Sequence, residues 1–205
     1  MVSPRPDLAG LTDKEGKAPA NLIGVYETLE YIDTSVALIK TIMPAIRKIG
    51  AIYNQAEPQS TDAFERIRAQ CAKSGIILIA LPVNNSSETQ LAVQSLISKG
   101  IDGFFALPDN SVFASFETIA KSCNDAKIPV FTSEAGLVAR GALVSFGADF
   151  HEWGYQAGEQ VAMFLKNKSL EGLKPEIVKV RKKVFNPETA ARFNINFDSS
   201  FVAFK

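Results

Sequence analysis

The feature that most constrains this chain is a pattern that recurs through its middle. A turn signal leads into a short apolar run, an amphipathic stretch follows, and the next run begins. The runs are Ile49-Gly50-Ala51-Ile52-Tyr53, Ile76-Ile77-Leu78-Ile79-Ala80, Ile101-Asp102-Gly103-Phe104-Phe105 and Ile128-Pro129-Val130-Phe131. They start at 49, 76, 101 and 128, so the steps are 27, 25 and 27 residues. A strand, a crossover helix and two short loops need about that length. Runs of Ile, Val and Phe without polar alternation suit strands that are covered on both faces. Right-handed crossovers then follow from strand twist. A further run, Ala142-Leu143-Val144-Ser145-Phe146, supplies a last strand. Ile49 to Phe146 is therefore expected to form an α/β lobe, a parallel sheet flanked by helices on both faces.

The intervening helices carry recognisable ends. Gly75 should stop the helix holding Phe64, Ile67 and Cys71, and Gly100 the next one. Ser87 with Gln90 reads as a capping box. Asn110 or Ser111 can cap one helix running to about Asp125. A long helix is expected from His151 to Lys166, with Trp153, Ala157, Val161 and Leu165 at helical spacing. The stretch Glu176 to Val184 alternates weakly, as a strand would. Asn186-Pro187-Glu188 is a helix start, with Asn as cap and Pro in the first turn. Residues 3–20 are rich in Pro, Gly, Lys and Asp and read as loop with room for one short helix. Leu22 to Tyr26 reads as a strand and Tyr31 to Met43 as a helix ending before Pro44.

Composition narrows the function classes. Of 205 residues, 46% are hydrophobic and 21% charged, enough apolar content for a real core. Lys plus Arg and Asp plus Glu both number 22. A neutral chain is a poor nucleic-acid binder, because affinity there rests on neutralising phosphates. There is no apolar run long enough to span a bilayer. The first residues, MVSPRPDLAG, lack the apolar core of a signal peptide. Cys71 and Cys123 fall in different helices and read as free thiols, with no metal-site spacing.

Catalytic inventories fail. No G-x-S-x-G elbow, no G-x-x-x-x-G-K-[ST] loop and no G-x-G-x-x-G follows any strand. The single histidine, His151, sits at a helix start and reads as solvated or capping. The cluster Lys179-Val180-Arg181-Lys182-Lys183 reads as a solvated strand edge. The expectation is a binder, not an enzyme, without cofactor or metal.

Open parallel sheets bind ligands beyond the carboxyl ends of their strands. The residues there are polar: Asn54 to Ser60, Asn84 to Ser86, Pro108 to Ser111, Thr132 to Gly136, and Gly147 to Asp149. Turn chemistry alone explains any one of them. As a set they put the carboxylates of Asp109, Glu134 and Asp149 on one rim, able to hold an ammonium group. Helix starts at Ser60 and Asn110 could hold a carboxylate. Such a rim suits a small zwitterion.

Several segments resemble a known family. Arg47-Lys48-Ile49-Gly50-Ala51-Ile52-Tyr53-Asn54, with Glu57-Pro58 and Ser60, is similar to the conserved strand-and-turn segment of ABC-transporter solute-binding proteins of the TrpX-like, tryptophan- and tyrosine-binding kind. Leu107-Pro108-Asp109-Asn110, Ala126 to Phe131, Ser133-Glu134-Ala135-Gly136 through Leu143, and Gly154 to Glu159 resemble its further motifs, in the same order. The resemblance implies a type I periplasmic-binding-protein fold, with two α/β lobes, a three-stranded hinge and a solute in the cleft between lobes. Carried over, the ligand-binding candidates are Asn54, Ser60, Asp109, Asn110, Glu134 and Asp149. It also implies that most of the first lobe is absent. Residues 1–30 would be a remnant of that lobe and a hinge crossing, 31–147 the complete C-terminal lobe, and 148–205 a return through the hinge with a helix and tail in the first lobe. Hinge crossings are expected at the strand ending at Tyr26 and around Asp149. The implied function is substrate recognition for an ABC importer, the solute a small molecule of the amino-acid class, aromatic amino acids included, with permease subunits as partners. The implied location is periplasmic or otherwise extracytoplasmic, lipid anchoring included. The alternative is a truncated sensory or oligomerising module without transport function, for which a homodimer is the natural state. In place of an Asp usual to the family stands Glu134, one methylene longer.

Overall fold

A computed structural model describes residues 2–204. In chain order its strands are β1 (Val2–Pro4), β2 (Val25–Glu27), β3 (Lys48–Asn54), β4 (Ile77–Val83), β5 (Gly103–Ala106), β6 (Val130–Glu134), β7 (Val144–Ala148), β8 (Glu176–Ile177), β9 (Arg181–Phe185) and β10 (Val202–Ala203). Its helices are α1 (Glu30–Ile42), α2 (Pro58–Lys73), α3 (Thr89–Ser98), α4 (Asn110–Ala114), α5 (Phe116–Asp125), α6 (Ala135–Ala139), α7 (Phe150–Asn167) and α8 (Pro187–Arg192). They divide into two units, Met1–Thr28 with Ala148–Arg181, and Leu29–Gly147 with Lys182–Lys205.

The larger unit is built on a seven-stranded sheet in the order β10-β9-β7-β6-β5-β3-β4. Pairings run parallel, with Ile49 opposite both Leu78 and Gly103, and Phe104 opposite Val130. From β3 the chain goes outward to β4 and then back past β3 to β5. That reversal leaves a gap in the crossovers at the carboxyl ends of β3 and β5, the switch point where such sheets take ligands. Helices α1 and α2 pack together, burying Ile32, Val36, Ile39 and Ile67. Elsewhere α3 and α5 enclose Val93, Leu96, Ile119 and Cys123 with Ile52 and Phe104 of the sheet. Cys71 and Cys123 are free and buried, and burial pushes each thiol up to about 12.

Helix ends follow the sequence in places. Gly75 and Gly100 sit at φ +65° and +71° just past α2 and α3. Asn186 accepts a hydrogen bond from the Thr189 amide (3.0 Å), with Pro187 in the first turn. Other ends differ. The cap before α3 is Asn85, whose side chain accepts from the Ser87 amide (3.0 Å), while Glu88 reaches back to the Asn84 amide (2.9 Å). The box thus lies two residues earlier than Ser87 and Gln90 suggest, because a 3-10 turn (Ser86–Glu88) precedes the helix. The expected helix to Asp125 is two helices, α4 and α5, broken at Ser115, whose hydroxyl donates to the Ser111 carbonyl (2.6 Å).

The tail after β8 is where the domain expectation fails. Residues 148–205 were expected to stay with the first lobe, yet Lys182 onward joins the larger unit. The Asn186 amide donates to the Leu143 carbonyl (2.9 Å) and Val184 enters the core, so β9 and β10 extend the sheet beyond β7. Accordingly the single strand expected over 176–184 is two, in different sheets. The chain passes between units at 28/29, 147/148 and 181/182. Gly147 stands at one passage with φ +143°, and a Cβ there would lie 2.6 Å from the Ser133 carbonyl oxygen and against the Tyr31 ring.

The smaller unit has a three-stranded parallel sheet in the order β1-β2-β8, on which α7 packs. Trp153 is buried and donates through Nε1 to the Val180 carbonyl (2.7 Å). The side chains of Gln156 and Gln160 satisfy the edge backbone at Ile177, Lys179 and Lys174. Arg181 does not belong to a solvated strand edge: it donates to Oε1 of the buried Glu27 (3.0 Å). Residues 5–20 form turns without a helix.

Candidate functional site

At the switch point the polar residues form one connected network. Asn54 ends β3, Asp109 follows β5, and Ser60 lies in the first turn of α2. Asp109 is 1% exposed. Its Oδ1 accepts from the Val112 amide (2.9 Å) and so caps α4. Its Oδ2 accepts from the Asn54 amide (2.7 Å) and from the Ser60 hydroxyl. A buried carboxylate is tolerated only with such partners. The Asn54 side chain donates to Glu57 (3.1 Å) and Ser111 (3.4 Å) and accepts from the Ala56 amide (2.9 Å). The other oxygen of Glu57 accepts from the exposed Asn110 amide group (2.9 Å).

The structure therefore brings Asn54, Ser60, Asp109 and Asn110 together. Glu134, buried at the end of β6, accepts from the Gly136 (2.6 Å) and Leu137 (2.8 Å) amides and caps α6. Thr132 ties that strand end to β5 by donating to the Ala106 carbonyl (3.2 Å). Asp149 accepts from the Glu152 amide (3.2 Å), caps α7 and belongs to the smaller unit. Sequence reasoning placed Glu57, Ser111 and Thr132 beyond the strand ends but did not single them out as site residues. Glu57 carried a signal, since it occupies the N-cap position before Pro58 of α2.

The chemistry on offer is hydrogen bonding. Asp109, Glu134 and Asp149 are held by backbone amides, Asp109 also by a hydroxyl, and Glu57 by the side-chain amides of Asn54 and Asn110, and His151 is exposed at the start of α7. Among the described residues no group of His, Cys, Asp and Glu could hold a metal ion, and no helix is long and apolar enough to cross a membrane. A cavity of about 490 Å³ opens in the smaller unit against Tyr26, Thr28 and Lys174, and shares no residue with the network.

A parallel lobe with polar groups fixed at its switch point, and solved neighbours that are type I periplasmic binding proteins, define a substrate-binding protein by class. Residues 6–203 match the family model described as ABC transporter substrate binding protein, and the chain belongs to that family. It is 32% identical over 181 residues to the tyrosine-binding protein of Clostridioides difficile (strain R20291), covering 88% of this chain and 52% of the relative. A conserved domain protein from Vibrio cholerae superposes with TM-score 0.83 at 29% identity, over 98% of this chain and 68% of that one. The ABC domain from Streptococcus pneumoniae in complex with L-Trp superposes with TM-score 0.82 at 25% identity, over 96% and 66%. The chain spans about half the length of the curated relatives it matches. Proteins of this family are typically extracytoplasmic.

Proposed function

We propose that this chain recognises an amino acid with an aromatic side chain on behalf of an ABC importer, working outside the cytoplasm and handing its solute to permease subunits. The observation that carries the reading is the 32% identity to a tyrosine-binding protein, which spans 88% of the chain. The neighbour in complex with L-Trp supports the same ligand class. In this reading the ligand meets the rim of Asn54, Ser60, Asp109 and Asn110, with Glu134 of the same unit as a further candidate. Both oxygens of Asp109 are committed to the framework, and the buried Asn54 amide is held by Glu57 and Ser111, so direct contact falls first to the exposed Asn110 amide. The carboxylates behind it favour an ammonium group.

Thermal unfolding in the presence of each of the twenty amino acids tests this. Tyrosine or tryptophan at about a hundred times Kd should add about 2.7 kcal/mol, a rise of roughly 5–10 °C for a chain this long. Asn110→Ala should weaken that ligand about tenfold, the worth of one hydrogen bond. The reading is lost if no amino acid shifts the transition.

A further inference from the structure

Glu57 stands between the two asparagines of the rim and holds both. Its Oε1 accepts from Nδ2 of Asn54 (3.1 Å) and its Oε2 from Nδ2 of Asn110 (2.9 Å). The three residues come from different elements: Asn54 ends β3, Glu57 precedes Pro58 of α2, and Asn110 opens α4. An ionised carboxylate only accepts, so each asparagine must turn its NH2 end toward Glu57. At Asn54 that orientation is fixed a second time, because Oδ1 accepts from the Ala56 amide (2.9 Å). Asn110 is exposed, and the bond to Glu57 is what fixes its amide. With Nδ2 committed there, Oδ1 is the atom that Asn110 has to offer a ligand. The second N–H on Nδ2 stays beside the Glu57 charge, which disfavours a ligand carboxylate and favours a cation.

We propose that Glu57 is a positioning residue that makes Asn110 an acceptor, reserving this part of the rim for the ligand's ammonium group. The proposal rests on the reading that an amino acid binds here, and adds which of its ends meets Asn110 and what decides it. An asparagine free to turn would serve a carboxylate as readily as an ammonium group. One pinned by Glu57 discriminates, since the wrong end of the ligand leaves polar groups unpaired.

Glu57→Gln tests this. A side-chain amide at 57 has one acceptor and one donor to meet two asparagine NH2 groups. Asn54 cannot turn, because the Ala56 amide holds its Oδ1. Asn110 therefore turns over and presents NH2 outward. Adding Asn110→Asp restores the native pattern at unchanged net charge. The amide at 57 then donates to one oxygen at 110, and the other oxygen faces outward as acceptor.

The probes are aromatic amino acids beside the same rings lacking one charged group: L-tyrosine with tyramine and hydroxyphenylpropionate, L-tryptophan with tryptamine and indolepropionate. Calorimetric titration gives the ratio of affinities between each amino acid and its acid lacking the ammonium group. Glu57→Gln should cut that ratio about tenfold, the worth of one charge-assisted hydrogen bond. The double variant Glu57→Gln/Asn110→Asp should bring it back to within about threefold of native or above. A merely loosened loop would weaken both ligands together, leave the ratio alone and gain nothing from the second substitution. A ratio that Glu57→Gln does not move overturns the proposal, and so does a double variant no better than the single one. If tyramine or tryptamine binds and responds to these substitutions while no amino acid binds, the amino-acid reading falls and the role of Glu57 stands. Silence toward both series overturns the proposal.

Discussion

Asp109 shows what a single side chain does at this rim. On spacing it looked like a ligand carboxylate; in place, it organises the switch point by accepting from Val112, Asn54 and Ser60. Asp109→Ala would leave those buried donors without an acceptor, at about 1–3 kcal/mol each. We expect a loss of at least about 3 kcal/mol in urea unfolding; a loss under 1 kcal/mol would show that the donors find other partners. The position of Asp109 beyond a strand was legible, because strand ends are read from apolar runs. Its partners were not, because Asn54 and Ser60 lie about fifty residues away in sequence and meet it only when β3 and β5 are neighbours. Arg181 makes the same point. A local run of positive charge says nothing of Glu27, which lies 154 residues earlier and is buried beside it.

Between elements, the link from α5 to the end of α6 is electrostatic. Arg140 donates to both oxygens of Glu117 (2.7 and 2.8 Å) and to the Phe113 carbonyl (2.7 Å), and its guanidinium lies 5.3 Å from the Phe116 ring centroid. The Arg140 hydrogen bonds hold the Glu117 carboxyl well below the usual range, at about 2. A depressed folded value means that the stabilisation is complete above the ordinary glutamate value, about 4.3, and disappears as pH falls toward about 2. The gap in Tm between the native protein and Glu117→Gln should therefore close between those two values. An equal gap at pH 6 and at pH 2.5 would reject this link. Helix ends were legible where a glycine or an Asn-Pro pair forces them, as at Gly75, Gly100 and Asn186. They were misread at Ser87, where Asn85 takes the cap ahead of a 3-10 turn, and at Ser115, where a hydroxyl competes for the backbone.

At the scale of the molecule the two units differ in what holds them. The larger has strands of up to seven residues and apolar layers around Ile52, Phe104 and Phe116. The smaller has strands of two and three residues. Local opening follows such differences in buried apolar contact. Amide exchange should be slowest at β3, β5 and β6 and faster at β2 and β8, read by mass spectrometry on the whole chain. Equal protection in both sheets would contradict this.

By itself the sequence determined the parallel α/β lobe, since βα spacing and two-sided apolar runs admit few other packings. It also carried the family, because the motifs lie in order along the chain. Only the tertiary structure decided that residues 182–205 return to the larger sheet, since a short, weakly alternating strand takes its partner from whichever edge is open, here that of β7. Only it decided that the carboxylates singled out as ligand groups are first of all framework. Those were named from the carboxyl ends of the strands, as any such rim would be. What each one touches depends on which strand ends the fold sets side by side.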